Sequence, residues 1–360
     1  MDSSPGPPNL RKQLKVGNSL LNLVFYNRGL SALFFLHVNL DLGSANFRLS
    51  IDGKVIVDEP SLVAVDCNSG HIKAVGRAAF DLADKPLSAL STVYPIKRGR
   101  IRDFSLAEAL LRFHLRKLPK TRRIKALVTL PASASSVDKI CWQQLFDCIG
   151  SVSCKFVPST LAAALGAGVD MDLPGGILLV DIGDGKTDIS VLSANEIIVS
   201  ATANVGSGDF SSEIARVLRR QYNISVSESV VETLKKNLTS AVPLEVPKEM
   251  KVNGFDLVSG LPCERLVSSS VINSCLIRPL NDIARAIQDV MLETPCELSA
   301  DLVDSGIILV GGGALTAGID RFLQEYFSIP VKLADDPQHC SVLGCSAVEL
   351  AQVEKVKTGG

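Results

Sequence analysis

Two aspartates, Asp41 and Asp181, each end an aliphatic strand just ahead of a glycine turn: HVNLDLGSANFRLSI over His37–Ile51 and LLVDIGDGKTDISVL over Leu178–Leu192. A hairpin of this kind points the backbone N–H groups of its turn at an anion, and its aspartate stands where a phosphate-bound divalent cation would be held. Either copy alone is an ordinary hairpin turn. Two copies, 140 residues apart, imply two similar domains that clamp one nucleotide across a shared cleft. A third turn, IILVGGGAL over Ile307–Leu315, runs an aliphatic strand into Gly311, Gly312 and Gly313, then a helix carrying Ile319, Phe322 and Leu323. Glycines there let the backbone come close to a flat ligand.

This order of two Asp-x-Gly hairpins, a later strand and three glycines resembles the actin-like ATPase superfamily of actin, the seventy-kilodalton heat-shock chaperones and sugar kinases. Within it, the chain is most similar to the MreB/Mbl family of bacterial filament proteins. The resemblance covers about Val38 to Leu350 and includes DEPSLVAVD (Asp58–Asp66), YPIKRGRIRDF (Tyr94–Phe104), LAAALGAG (Leu161–Gly168), DLVSGLP (Asp256–Pro262) and ADDPQHCSVLG (Ala334–Gly344). It implies an α/β, actin-like ATPase fold, with two duplicated RNase H-like domains around a nucleotide cleft and a smaller subdomain inserted in each. The implied division is an N-terminal extension over 1–32, domain I over 33–168 with its subdomain near 58–93, and domain II over 169–336 with its subdomain near 209–257. Residues 337–355 then return to domain I.

The same resemblance implies ATP between the domains, with Mg²⁺ held through Asp41 and Asp181. Gly43, Ser44 and Asn46 match the first phosphate loop, although Ser44 and Phe47 stand where the family usually has threonines. Gly183, Gly185, Lys186 and Thr187 belong to the second loop, and Gly311, Gly312 and Gly313 match the adenine side. Glu232 and Lys235 match positions that contact ribose and adenine, while their i, i+3 spacing also suits a surface ion pair.

The hydrolytic half departs from the pattern. Ser159, following Val157 and Pro158, replaces the family's catalytic glutamate, and a hydroxyl is no general base near pH 7 without a partner. Asp184 adds a carboxylate that would repel phosphates across a low-dielectric cleft. Lys186 then has three readings: phosphate ligand, partner of Asp184, or solvent-facing side chain. Slow hydrolysis is expected, with Asp184 and Asp188 as the nearby carboxylates that would substitute in an active ATPase.

These loops need strands and helices to position them. Leu33–Leu40 reads as the first core strand and Ile124–Leu130 as another. Ser105, with Glu108 three residues on, has the spacing of a capping box for a helix with Leu106, Leu110 and Phe113 as its stripe, stopped by Pro119. A second helix over Val137–Ile149 presents Val137, Ile140, Cys141, Leu145 and Cys148 and ends at Gly150. Further on come a strand over Glu196–Ala201, helices over Ser211–Tyr222 and near Val230–Leu238, and a long amphipathic helix over Val271–Met291 that tolerates Pro279.

Composition narrows the function. With 37 basic and 38 acidic residues the chain has no field for nucleic acid, so no nucleic-acid role is expected. Nine cysteines without a Cys-x-x-Cys pair, and four histidines, read as buried free thiols in a reducing cytoplasm, with Cys141, Cys148, Cys154 and Cys275 among apolar neighbours. Residues 10–25 read either as a basic amphipathic helix lying in a membrane interface or as a packed or disordered extension. The break at Gly17–Ser19 favours the extension. No apolar run reaches the length of a spanning helix.

The expectation is a cytoplasmic MreB-like filament protein, peripheral to the inner face of the membrane, that binds ATP, self-associates and serves cell shape and envelope synthesis. The resemblance implies an MreB paralogue and cell-wall elongation proteins as partners. The alternatives are an active actin-like ATPase, and a small-molecule kinase or chaperone-type ATPase sharing only the fold. The last is disfavoured because no substrate-peptide domain follows and the matches outside the loops are to MreB.

Overall fold

The structure, a computed structural model, describes residues 34–83, 89–119, 123–150, 152–172 and 175–348. The segment over 10–25 and the chain beyond 348 lie outside the described residues. Two five-stranded sheets carry the fold, and their topology is the same. In the first, Phe35–Leu42, Asn46–Ile51 and Lys54–Pro60 form an antiparallel meander, and Arg123–Leu130 and Val152–Pro158 add in parallel on the open side of the first strand. In the second, Ile177–Ile182, Thr187–Ser193 and Glu196–Ala203 form the meander, and Ile307–Val310 and Val331–Leu333 add in parallel in the same place.

In each sheet the first strand is central and carries the aspartate at its C-terminal end. In the first, Leu36, Val38, Leu40 and Leu42 are buried on one face and Asn39 on the other; in the second, Leu178, Val180 and Ile182 are buried on one face and Leu179 on the other, as a strand covered on both sides requires. Smaller three-stranded sheets flank both: Val63–Asp66, Ile72–Val75 and Leu90–Val93 in one half, Ile224–Ser225, Glu249–Asp256 and Pro262–Ser268 in the other. Between the large sheets lies a shared core of Leu127 from the first, Leu179, Leu192 and Val310 from the second, and the apolar helix Ser159–Gly166. A helix over 340–348 closes this core.

The two central helices meet through glycine. A Cβ on Gly344 would stand 1.9 Å from the Ala162 carbonyl oxygen, and one on Gly166 equally close to that of Cys340. Gly344→Ala must therefore spread the helices, at an expected cost of about 1–3 kcal/mol in denaturant unfolding. An unchanged midpoint would mean the contact is not built this way.

Several local expectations are corrected. The helix at Phe104–Leu115 is capped by Asp103, whose carboxylate accepts the Leu106 N–H at 2.9 Å; Ser105 lies inside it, and Glu108 pairs with Arg112 at 2.7 Å. Its buried face is Ala107, Leu110, Leu111, His114 and Leu115, leaving Phe113 exposed. The helix Ser136–Ile149 opens with a reciprocal Ser135–Asp138 capping box and ends at left-handed Gly150. It buries Trp142, Leu145 and Phe146, while Val137 and Ile140 are 67% and 56% exposed. The large indole wins the core face because it removes the most apolar surface from water and its N–H reaches the Gly99 carbonyl at 3.2 Å. Cys148 is exposed and Cys141, Cys154 and Cys275 half-buried; the buried thiols are Cys340 and Cys345.

Candidate functional site

The two glycine bends face each other across one cleft of about 1110 Å³. They close alike: Gly43 N–H donates to the Asn46 carbonyl at 3.1 Å, and Gly183 N–H to the Lys186 carbonyl at 2.9 Å. Arg98 joins them. Its backbone N–H donates to Ser44 Oγ at 2.8 Å and its Nε to the Gly185 carbonyl at 3.1 Å. At the mouth, Tyr94 donates its hydroxyl to Glu228 at 2.9 Å, linking the two flanking subdomain regions.

Of the residues singled out in the sequence, Asp41, Gly43, Ser44, Asn46, Ser159, Asp181, Gly183, Gly185, Lys186, Glu232, Lys235, Gly311 and Gly312 line this cleft. Two do not. Thr187 alternates away from Lys186 and Asp188 along its strand, is fully buried and donates to the Val205 carbonyl at 2.8 Å. Gly313 is buried against Ile182, where a Cβ would meet Cγ2 at 2.4 Å, so its small size serves packing. Gly311, at φ +86°, passes Asp181 and the Ile182 carbonyl too closely for any side chain.

The carboxylates are held unequally. Asp41 is opposite Arg48 in the hairpin register; its Oδ2 lies 3.5 Å from Arg48 Nη1 and its Oδ1 accepts from Thr129 Oγ1 at 2.9 Å. Arg48 also lies 3.3 Å from Asp58, which His339 joins at 3.0 Å. In the second hairpin the matching register sets Asp181 opposite Asp188. Like charges at that spacing repel. Lys186 pairs with Asp188, which also accepts from Thr202 Oγ1 at 2.7 Å and from Ser159 Oγ at 3.4 Å. The partner of Lys186 is thus Asp188, which none of the three sequence readings named. Asp181 accepts from Ser341 at 3.4 Å, and burial, then the Asp188 and Asp41 charges, push its pKa up to about 7 against the pull of Lys186 and Arg48.

Asp184 faces charges of both signs. Burial raises its pKa and Lys235 opposes the rise, while Glu232, Asp209 and Glu228 add to it. On the helix Glu228–Leu238, Lys235 meets Glu232 at 2.6 Å and donates to Ser211 Oγ at 2.9 Å; Ser211 donates in turn to Glu232 at 2.7 Å. Glu232 and Lys235 are therefore a cleft-lining network, not a solvated pair. Phe47 is excluded from the site: fully buried, it stacks on His114 with ring centroids 4.3 Å apart.

A family model described as MreB/Mbl protein matches residues 36–358. The chain belongs to the MreB/Mbl family. It is 33% identical to the cell shape-determining protein Mbl of Bacillus subtilis over 328 residues, 90% of this chain and 98% of that one. To the cell shape-determining protein MreB of Escherichia coli K12 it is 30% identical over 321 residues, covering 87% and 92%. Among solved structures, MreB 5 of Spiroplasma citri bound to AMPPNP superposes with a TM-score of 0.84 at 30% identity, covering 90% of this chain and 98% of that one. The MamK double helical filament superposes at 0.72 with 21% identity, covering 88% and 99%, a likeness of fold. The fold of this MreB/Mbl homologue is actin-like and α/β. Among the described residues no helix is long and apolar enough to cross a membrane.

One expectation for a family member does not fit the residues present. A divalent ion held jointly by Asp41 and Asp181 would need free carboxylate oxygens and room for several waters. Asp41 already accepts from Thr129 at 2.9 Å and lies 3.5 Å from Arg48, and a divalent ion would have to compete with the positive charge that Arg48 and Lys186 bring to the cleft. Sequence reasoning missed Arg48, Arg98, Thr129, Ser211 and Ser341. Only Arg48 left a signal, since counting out from the Gly43 turn places it opposite Asp41.

Proposed function

We propose that this chain is a cytoskeletal filament protein of cell shape and envelope synthesis that binds ATP in the cleft and hydrolyses it slowly. The observation carrying this reading is the convergence of both Asp-x-Gly bends and the Gly311–Gly312 turn on one cleft large enough for a nucleotide. The Gly43 and Gly183 bends would cradle the phosphates, Gly311 and Gly312 would face the adenine, and Glu232 and Lys235 the nucleoside. Support comes from relatives: MreB 5 of Spiroplasma citri was solved with AMPPNP and with ADP, and MamK as a double helical filament. The repeated sheet topology supports a division into two domains near residue 168, with 337–348 packed back on the first. Self-association, partnership with an MreB paralogue and elongation proteins, and a place at the inner membrane face belong to the same reading.

Slow hydrolysis rests on Ser159. It is buried in the cleft wall, where among the described residues Asp188 is the acceptor of its hydroxyl, and Asp188 is committed to Lys186 and Thr202. Ser159→Glu is expected to raise steady-state phosphate release about a hundredfold, the low end of what a positioned general base supplies. A second reading, turnover at ordinary family rates with Asp188 as the base, draws on its 3.4 Å approach to Ser159. Parent turnover equal to that of an ordinary MreB would favour it over ours. Sedimentation with and without ATP tests assembly; a chain that stays monomeric at high concentration, in solution and on lipid, is not a filament protein.

A further inference from the structure

The nucleotide reading leaves open what balances the charge of the phosphates, and the misfit at Asp41 bears on it. We propose that Arg48 and Lys186 stand in for a divalent metal, so that the cleft binds a nucleoside triphosphate with no metal requirement. This inference rests on the nucleotide reading and concerns the same site.

Each hairpin contributes one cation to the cleft, and each cation is drawn in by the carboxylate chemistry of its own bend. Arg48, its side chain 11% exposed, is fixed by strand register opposite Asp41 and braced from behind by Asp58. Asp58 is itself held by His339, which also contacts Asp336 at 2.9 Å, so Arg48 is anchored from the far side of the fold. Lys186, 16% exposed, reaches the cleft from the second bend and pairs with Asp188 opposite Asp181. The aliphatic part of Lys186 passes Gly99, beside the Arg98 bridge between the bends.

The consequence is a competition at each bend: a divalent ion that approaches Asp41 or Asp188 meets the resident Arg48 or Lys186, while Asp181 and Asp184 have no ion-pair partner among the described residues. A polyphosphate meets the same two charges as ligands. The guanidinium offers a planar fork suited to paired phosphate oxygens, and the ammonium a compact point charge.

The test is fluorescence titration of ATP onto the full chain in EDTA and in Mg²⁺ at matched ionic strength. Affinities within about threefold of each other are expected, a difference too small for a lost bridging ion. Binding at least about tenfold tighter in Mg²⁺ would overturn the inference while leaving the nucleotide reading in place. Binding in neither buffer would overturn both. Arg48→Leu should lose about tenfold or more in EDTA and regain most of it in Mg²⁺, which can then reach Asp41. Because that change also strips Asp41 and Asp58 of their counter-ion and can unfold the hairpin, Lys186→Gln provides a second variant at the bend. It leaves Asp188 its Thr202 bond and should show the same buffer-dependent loss, read on protein whose melting transition shows it folded, since the buried carboxylate loses its cation and the transition moves down. If both folded variants bind ATP in EDTA as tightly as the parent, the two cations do not replace the metal.

Discussion

Phe47→Thr, which introduces the residue type usual for the family at this position, is expected to destabilise the first half of the molecule by about 3–5 kcal/mol. The ring is fully buried at the centre of a cluster that includes Leu49, Leu110, Leu111, Val128 and Trp142. It lies flat on the His114 imidazole, the planes 12° apart. Threonine would leave a void on that face and bury a hydroxyl in it. The single tryptophan, Trp142, is buried in the same cluster and reports its unfolding. Denaturant titration followed by Trp142 fluorescence measures the loss, and a change below about 1 kcal/mol would contradict the packing described. ATP affinity should be unaffected, since Phe47 does not line the cleft.

The second large effect comes from the other face of that stack. His114 is fully buried, and neither ring nitrogen has a hydrogen-bond partner among the described residues. Burial depresses its pKa to about 4, with Glu59 opposing and Lys117 assisting. An unfolded histidine titrates near 6.5. The unfolded chain therefore binds the extra proton between about pH 6.5 and about 4, and stability must fall as pH is lowered through that window. The contribution is complete above 6.5, and about 3 kcal/mol of it is lost by pH 4. His114→Leu should flatten this limb and stabilise the protein at every pH, because it removes two unsatisfied polar atoms. Parallel pH profiles for parent and variant would show that His114 is not the group responsible.

These two residues mark where the amino-acid sequence stops being readable. Phe47 stands out in it only as a departure inside a phosphate loop, and His114 carries no signal within its helix; their contact depends on how that helix packs on the sheet. Helix faces fail for the same reason. Periodicity places Val137, Ile140 and Leu145 on one stripe as well as it places Trp142, Leu145 and Phe146, and only the sheet beneath chooses between them.

What can be read directly is whatever local covalent geometry compels. Glycine and aspartate at the bends, the alternation of the flanking strands and the left-handed stop at Gly150 each follow from a few consecutive residues. Two copies of one bend are enough to anticipate a cleft and a repeated sheet. Strand register, which seats Arg48 against Asp41, needs only the turn length as well, and was within reach. The pairing of Lys186 with Asp188, the Ser159 contact and the bridge by Arg98 were not. They depend on side chains from distant segments competing for a few buried oxygens, and that competition is settled only when the two sheets close on their common core.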